Sequence, residues 1–206
     1  WIDSLYYMIY LTISLVLFCY FLSFSSDSQA NPDNKGQTVG EAVKEALSNK
    51  NFNLLILGFF VCGFHVIFVS THLPAFLEDH LLPAWVAGWA LALIGLFNIL
   101  GTLMYGYLGD SYSKKNLLTG LYSLRSVLFI VFFLSPKTEF TVLIFASLLG
   151  ILWLSTVPLT SGIITDVFGP KYTSMLFGMA LFTHNIGSFF GSWLGGRIFD
   201  TYGSYD

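Results

Sequence analysis

Six stretches of this chain, 5–23, 53–72, 84–108, 116–134, 140–165 and 173–199, are rich in Leu, Ile, Val and Phe and contain only two Asp, Glu, Lys or Arg residues, Arg125 and Arg197. At 1.5 Å of rise per residue each is long enough, as a helix, to cross about 30 Å of hydrocarbon. Lipid is therefore the solvent for which this sequence is written. Runs such as Phe129-Ile130-Val131-Phe132-Phe133-Leu134 do not alternate in polarity, which excludes a β-barrel. Backbone groups that meet no water then leave the helix as the spanning structure. The expected fold is an all-α, polytopic membrane helix bundle with six transmembrane helices, a multi-pass integral protein of the cytoplasmic (inner or plasma) membrane. Charged residues make up 10% of the chain, against about 25% in soluble domains. The 9 basic residues face 12 acidic ones and cluster no further than Lys114-Lys115, so no nucleic-acid partner is expected. Cys19 and Cys62 both lie inside apolar runs and offer no disulfide framework. No metal site and no cofactor is indicated.

The first run is read as a transmembrane helix over 1–23: it lacks a basic leader, and the bulky Phe18 before Cys19 does not suit lipoprotein cleavage. A loop over 24–52 follows, a flexible linker and then a short helix. Thr38-Val39-Gly40-Glu41 is a capping-box pattern, with Val39, Ala42, Val43, Ala46 and Leu47 as the apolar stripe. Residues 53–206 form the remaining domain. Lys35, Lys44, Lys50, Lys114, Lys115 and Lys171 fall on one side of the spans, Lys137 and Arg197 on the other, so the first side is cytoplasmic and both chain ends face outward.

Sliding the chain by 90 residues lays Gly101, Thr102, Gly106, Asp110 and Tyr112 on Gly191, Ser192, Gly196, Asp200 and Tyr202. The third span ends inside and the sixth outside, so the matched segments run in opposite directions through the membrane. This is the pattern of an inverted repeat, which secondary transporters use to place a substrate site at mid-bilayer. The segment Gly106-Tyr107-Leu108-Gly109-Asp110-Ser111-Tyr112-Ser113-Lys114-Lys115 resembles the loop signature of the major facilitator superfamily, with Ser111 and Ser113 where Arg and Gly are usual. Gly196-Arg197-Ile198-Phe199-Asp200-Thr201-Tyr202-Gly203 is similar to the segment after the eleventh helix in its monocarboxylate and oxalate/formate members. The resemblance implies a twelve-helix fold in which the six runs are helices six to eleven, a fragment lacking the N-terminal half and the last helix. It implies alternating-access transport of a small solute, with Gly106, Asp110, Lys114, Lys115 and, by the repeat, Asp200 at gates, and no enzyme activity.

An ionisable side chain in lipid is costly unless it faces a cavity or a partner, so each is a functional candidate. Counted from the inner boundary of its span, His65 and Asn98 lie about 18 Å deep, and Trp153 and His184 about 20 Å. These four, with Asn185 beside His184, are the candidate substrate-binding residues. Arg125, about 15 Å deep, is the intramembrane charge, for which an ion pair or hydrogen-bond net is expected, with Tyr122 and Ser126 as hydroxyl donors. His72 is nearer the outer boundary, where gating or solvation is expected, and Cys62 reads as filler. Pro158 should kink the fifth span, with hydroxyls of Ser155, Thr156, Thr160 and Ser161 taking up the freed carbonyls. Gly88, Ala92, Gly95, Thr102 and Gly106 should form a small-residue face for helix approach. With no Asp or Glu inside any span, the substrate is expected to be an organic anion, a carboxylate, moved with or against a proton or counter-anion. A six-helix half-transporter that dimerises, a haem-binding electron carrier and an intramembrane serine protease are the alternatives. The protease lacks its Gly at Leu159, and no second helix supplies a histidine pair for haem.

Cysteines placed at Lys114 and Glu78, in a background without Cys19 and Cys62, should label from opposite sides of the membrane. Equal labelling of both by an impermeant outside reagent would contradict the six-span topology.

Overall fold

A computed structural model describes residues 38–203; the expected first span over 1–23, with Cys19, and the linker to Gln37, with Lys35, lie outside the described residues. Every described element is helical. Helix α1 (Val39–Ser48) opens on the expected capping box: the Thr38 hydroxyl accepts from the Glu41 N–H, and the Glu41 carboxylate accepts from the Thr38 N–H at 2.7 Å. That backbone bond, with help from the hydroxyl, holds the Glu41 carboxyl below its ordinary range. The charged cap is thus in force at neutral pH and is lost as acid protonates it. The buried stripe is narrower than expected, since Ala42 and Ala46 are covered while Val39 and Leu47 are exposed.

Asn49 caps α2 (Lys50–Asp79) with its side-chain oxygen. This helix runs past the expected end at His72 and through Pro74, so the outer connection is only residues 80–83. The missing Pro74 N–H removes one bond, but the following turns re-form and His80 closes the helix by turning its Nδ1 onto the Phe76 carbonyl at 2.9 Å. Leu81 then takes φ 58, a left-handed turn that launches the next span. Helices α3 (Ala84–Ser111) and α4 (Lys114–Leu134) follow the expected third and fourth runs. The fifth run is two helices, α5 (Glu139–Leu152) and α6 (Thr156–Phe168), and a 3-10 turn at Pro170–Tyr172 leads into α7 (Thr173–Tyr202).

Helices α2, α3, α4 and the α5–α6 pair are long and apolar enough to cross a membrane. Helix α7 is 30 residues long, but Thr183, His184, Asn185 and Ser188 make its middle more polar. Exposed Leu103, Phe133 and Phe140 show how apolar the outer surface is.

Two helix pairs hold the bundle together, α2 with α7 and α3 with α5. In each, glycines let a backbone carbonyl press where a Cβ would stand: Gly63 against His184 O, Gly191 against Phe64 O, Gly101 against Ile151 O and Gly150 against Ile94 O. The two crossings are equivalent. Ile94 and Gly101 on α3 correspond to His184 and Gly191 on α7 at a spacing of 90, while Gly63 and Phe64 on α2 correspond to Gly150 and Ile151 on α5 at a spacing of 87. The repeat read from the sequence is thus carried by the contacts themselves. The small-residue face expected on the third span is corrected by the same contacts: Gly88 and Gly95 meet nothing within 4 Å, and the close approach is made by Gly101.

Gly187→Val and Gly191→Val, each of which drives a side chain into α2, should cost about 1–3 kcal/mol in thermal unfolding. Gly178→Val, on an exposed part of the same helix with nothing within 4 Å, should leave stability within about 0.5 kcal/mol. Equal losses at all three would contradict the glycine interlock.

Candidate functional site

The break between α5 and α6 exposes backbone groups where lipid supplies no water. Pro158, in the first turn of α6, has no N–H to donate, and Trp153, Leu154 and Ser155 leave the helix one turn before it. The expectation of a kink at Pro158 within one helix is corrected to a full interruption. Its polar groups are answered from three directions. Ser155 Oγ donates to Ile151 O at 2.6 Å, the Leu154 N–H donates to Asn98 Oδ1 at 2.9 Å, and Arg125 Nη2 donates to Leu152 O and, at 2.6 Å, to Trp153 O. Of the hydroxyls expected to serve the freed carbonyls only Ser155 does so. Thr156 turns to the Cys62 thiol at 3.4 Å, and the buried Thr160 hydroxyl has no hydrogen-bond partner. A guanidinium carries five donors in one plane, so it spans adjacent carbonyls that no hydroxyl reaches together.

Arg125 is 2% exposed. Its Nη1 points to Cys62 Sγ at 3.5 Å and its Cζ lies 5.7 Å from the Tyr122 ring centroid, while Nε has no partner. Tyr122 in turn donates to Gly58 O at 2.8 Å, tying α4 to α2. Cys62, far from being filler, sits at the junction: it meets Arg125, Thr156 and the His184 side chain. His184 packs on Phe59 with ring centroids 5.2 Å apart, and His65 on Phe129 at 5.4 Å, with its buried Nδ1 unpartnered. Of the four residues expected at one depth, His65, Trp153 and His184 gather around Arg125 and Cys62. Asn98 faces the other side of the break, with its oxygen engaged by backbone and by Thr102. Asn185 is exposed on α7. Ser126 turns back to its own helix at Tyr122 O.

At the bundle end expected to be cytoplasmic, the charge pairing differs from the gate expected at Asp110. Lys114 Nζ pairs with Asp166 at 2.8 Å, joining the start of α4 to the end of α6, and Asp110 and Lys115 remain exposed. The reason is register: the Lys114 stem lies over Gly162, where a side chain would crowd it. Gly106 opens towards Pro158, and Asp200 is exposed at the outer end of α7. His72 is buried, not solvated, with Nε2 3.0 Å from Ser192 O beside Gly195. An aromatic cleft of about 650 Å³ lies at the outer end between α2, α4 and α5, lined by Phe76, Phe129, Phe132 and Phe145. At its rim Lys137 spends its donors on Phe132, Phe133 and Ser135 carbonyls as a cap for α4.

Cys62 and Thr156 are the members of the cluster that sequence reasoning missed as site residues. The available signal was spacing, since Cys62 lies one turn before His65 and shares its helix face.

Residues 3–203 match the sequence model of the Major Facilitator Superfamily. An uncharacterized MFS-type transporter of Bacillus subtilis (strain 168), YcxA, is 26% identical over 154 residues, 72% of this chain and 37% of the relative. A Na(+), Li(+), K(+)/H(+) antiporter of Planococcus maritimus is 27% identical over 124 residues, 57% of this chain and 28% of the relative. The chain thus aligns with well under half the length of either relative.

Asn98→Leu, close in size but without the acceptor, should cost about 1–3 kcal/mol in thermal unfolding because it leaves the Leu154 N–H unpaired. An unchanged melting midpoint would free Asn98 from this structural duty.

Proposed function

The chain belongs to the Major Facilitator Superfamily, and on that premise we propose that it forms part of a secondary active transporter that moves a small organic anion by alternating access. It is a multi-pass integral membrane protein. A second set of helices completes the pathway, supplied by the rest of a longer chain or by a second copy. The observation that carries the choice of substrate is electrostatic: among the described residues every Asp and Glu lies at a helix end or on α1, while His65, Arg125 and His184 occupy the middle. A cation entering this half meets fixed positive charge, and an anion meets a favourable field that low dielectric strengthens.

His184, half-buried beside the exposed Asn185, is the proton site of this reading. In this reading a proton held on His184 balances the charge of the incoming carboxylate, and proton and carboxylate cross together. The Lys114–Asp166 pair then acts as an inner latch between α4 and α6. The name of the Planococcus relative supports a second reading, exchange of an alkali cation for a proton, in which the needed carboxylate comes from residues other than those described.

Reconstituted in proteoliposomes, the complete gene product should take up a labelled small carboxylate in a pH-dependent manner. His184→Gln should cut that uptake about a hundredfold, the low end of what a lost proton-transfer group costs, and flatten its pH profile. Undiminished uptake with an unchanged profile would remove His184 from the mechanism. Sodium–proton exchange without carboxylate uptake would replace the anion reading by the cation one.

A further inference from the structure

The environment of the Arg125 guanidinium is made of neutral, electron-rich groups. Two are carbonyls, Leu152 O and Trp153 O, at the C-terminal end of α5; one is the polarizable sulfur of Cys62; one is the face of Tyr122. No carboxylate is among them. A helix C-terminus carries about half a negative charge, and carbonyls opened at helix breaks are the groups that hold coupling cations in many transporters. An aromatic face adds the attraction of its negative quadrupole for positive charge. A clamp evolved only to satisfy carbonyls would need donors and no net charge, yet the residue here is a permanent cation, 2% exposed, whose Nε stays unused.

We propose that the α5–α6 break is a monovalent-cation site whose resident cation is the guanidinium of Arg125. The carrier holds by covalent tether the ion that an open helix break would otherwise draw from solution, and so it needs no free alkali cation there. Because the tether belongs to α4, α4 and the C-terminal end of α5 move together through the transport cycle. The inference concerns the break alone and holds whichever solute is carried. The ligand class follows from the lining: a planar, singly charged cation with several N–H donors fits best, and Na+ or K+ meets too few oxygens for a full shell.

The test uses the complete gene product, purified in detergent in buffer without Na+ or K+, with the thermal midpoint as readout. Arg125→Ala should lower the midpoint by about 5 °C or more, since two carbonyls lose their donors. Low-millimolar guanidinium chloride should restore most of that loss in a saturable way, while choline chloride at the same concentrations does nothing and neither salt raises the wild type. Should the Ala variant fail to accumulate, Arg125→Lys and Arg125→Gln decide: the lysine variant keeps a cation and should melt higher, whereas glutamine keeps neutral donors only. The proposal is overturned if guanidinium stabilises the Ala variant no more than choline does, or if the Gln variant is as stable as the Lys variant.

Discussion

A backbone opened in the middle of a membrane has to find its hydrogen bonds inside the protein, and this requirement fixes much of what surrounds Trp153, Leu154 and Ser155. Arg125 comes from α4, Asn98 from α3 and Ser155 from the break itself. Each helix that donates to or accepts from the break is thereby placed in depth and rotation. The exchange is mutual. A buried guanidinium without a carboxylate would be costly, and open carbonyls without donors would be costly as well. Neither defect is tolerable alone, and together they form a joint linking three elements far apart in sequence.

The two glycine crossings show where the repeated halves agree and where they part. Carbonyl-on-glycine contacts recur at matched positions in α2–α7 and α3–α5, so the packing geometry is common to both. Among the described helices only α5–α6 is interrupted. At the spacing that relates these helices, Pro158 falls on Thr71 of α2, whose nearest proline is Pro74. That shift towards the helix end lets α2 remain continuous, and no charged residue is needed to repair it. The proline and the break therefore belong to one copy of the repeat, and the arginine that answers them, on α4, comes from the other.

The helical spans among the described residues and the repeat were legible in the sequence because each is written as a long-range pattern of apolar residues or glycines. The cap at Thr38 and Glu41 appeared as read, and His65, Trp153 and His184 came close to one another. What sequence could not give was rotation about each helix axis. Depth alone put Asn98 with the histidines, whereas its side chain turns to Leu154. Cys62 looked inert because its type is usually filler, and it became central because Arg125 and His184 approach it from other helices. The second span was drawn too short at 72, since its helix runs on through Pro74 to Asp79 and the neighbouring turns re-form around the proline. Lys114 chose Asp166 over Asp110 for a reason equally invisible in one dimension, the space left by Gly162.

The same contacts restrict how this half can move. A carbonyl seated on a glycine cannot slide along the partner helix, because a displacement of one residue brings a Cβ onto the oxygen; such interfaces shift between discrete packings or not at all. In α2–α7 the hydroxyls of Thr183 and Ser188 add bonds to Ile56 O and Gly63 O, and His72 adds Ser192 O towards the outer end. These two helices therefore turn as a rigid pair. The segment Trp153–Ser155 has already surrendered its helical bonds and is bound by side chains, which can pivot where a helical ladder cannot. Bending of the span is thereby confined to the depth of the buried polar cluster, so any ligand that perturbs Arg125, Cys62 or His184 acts directly on the one place in the described helices that is built to flex.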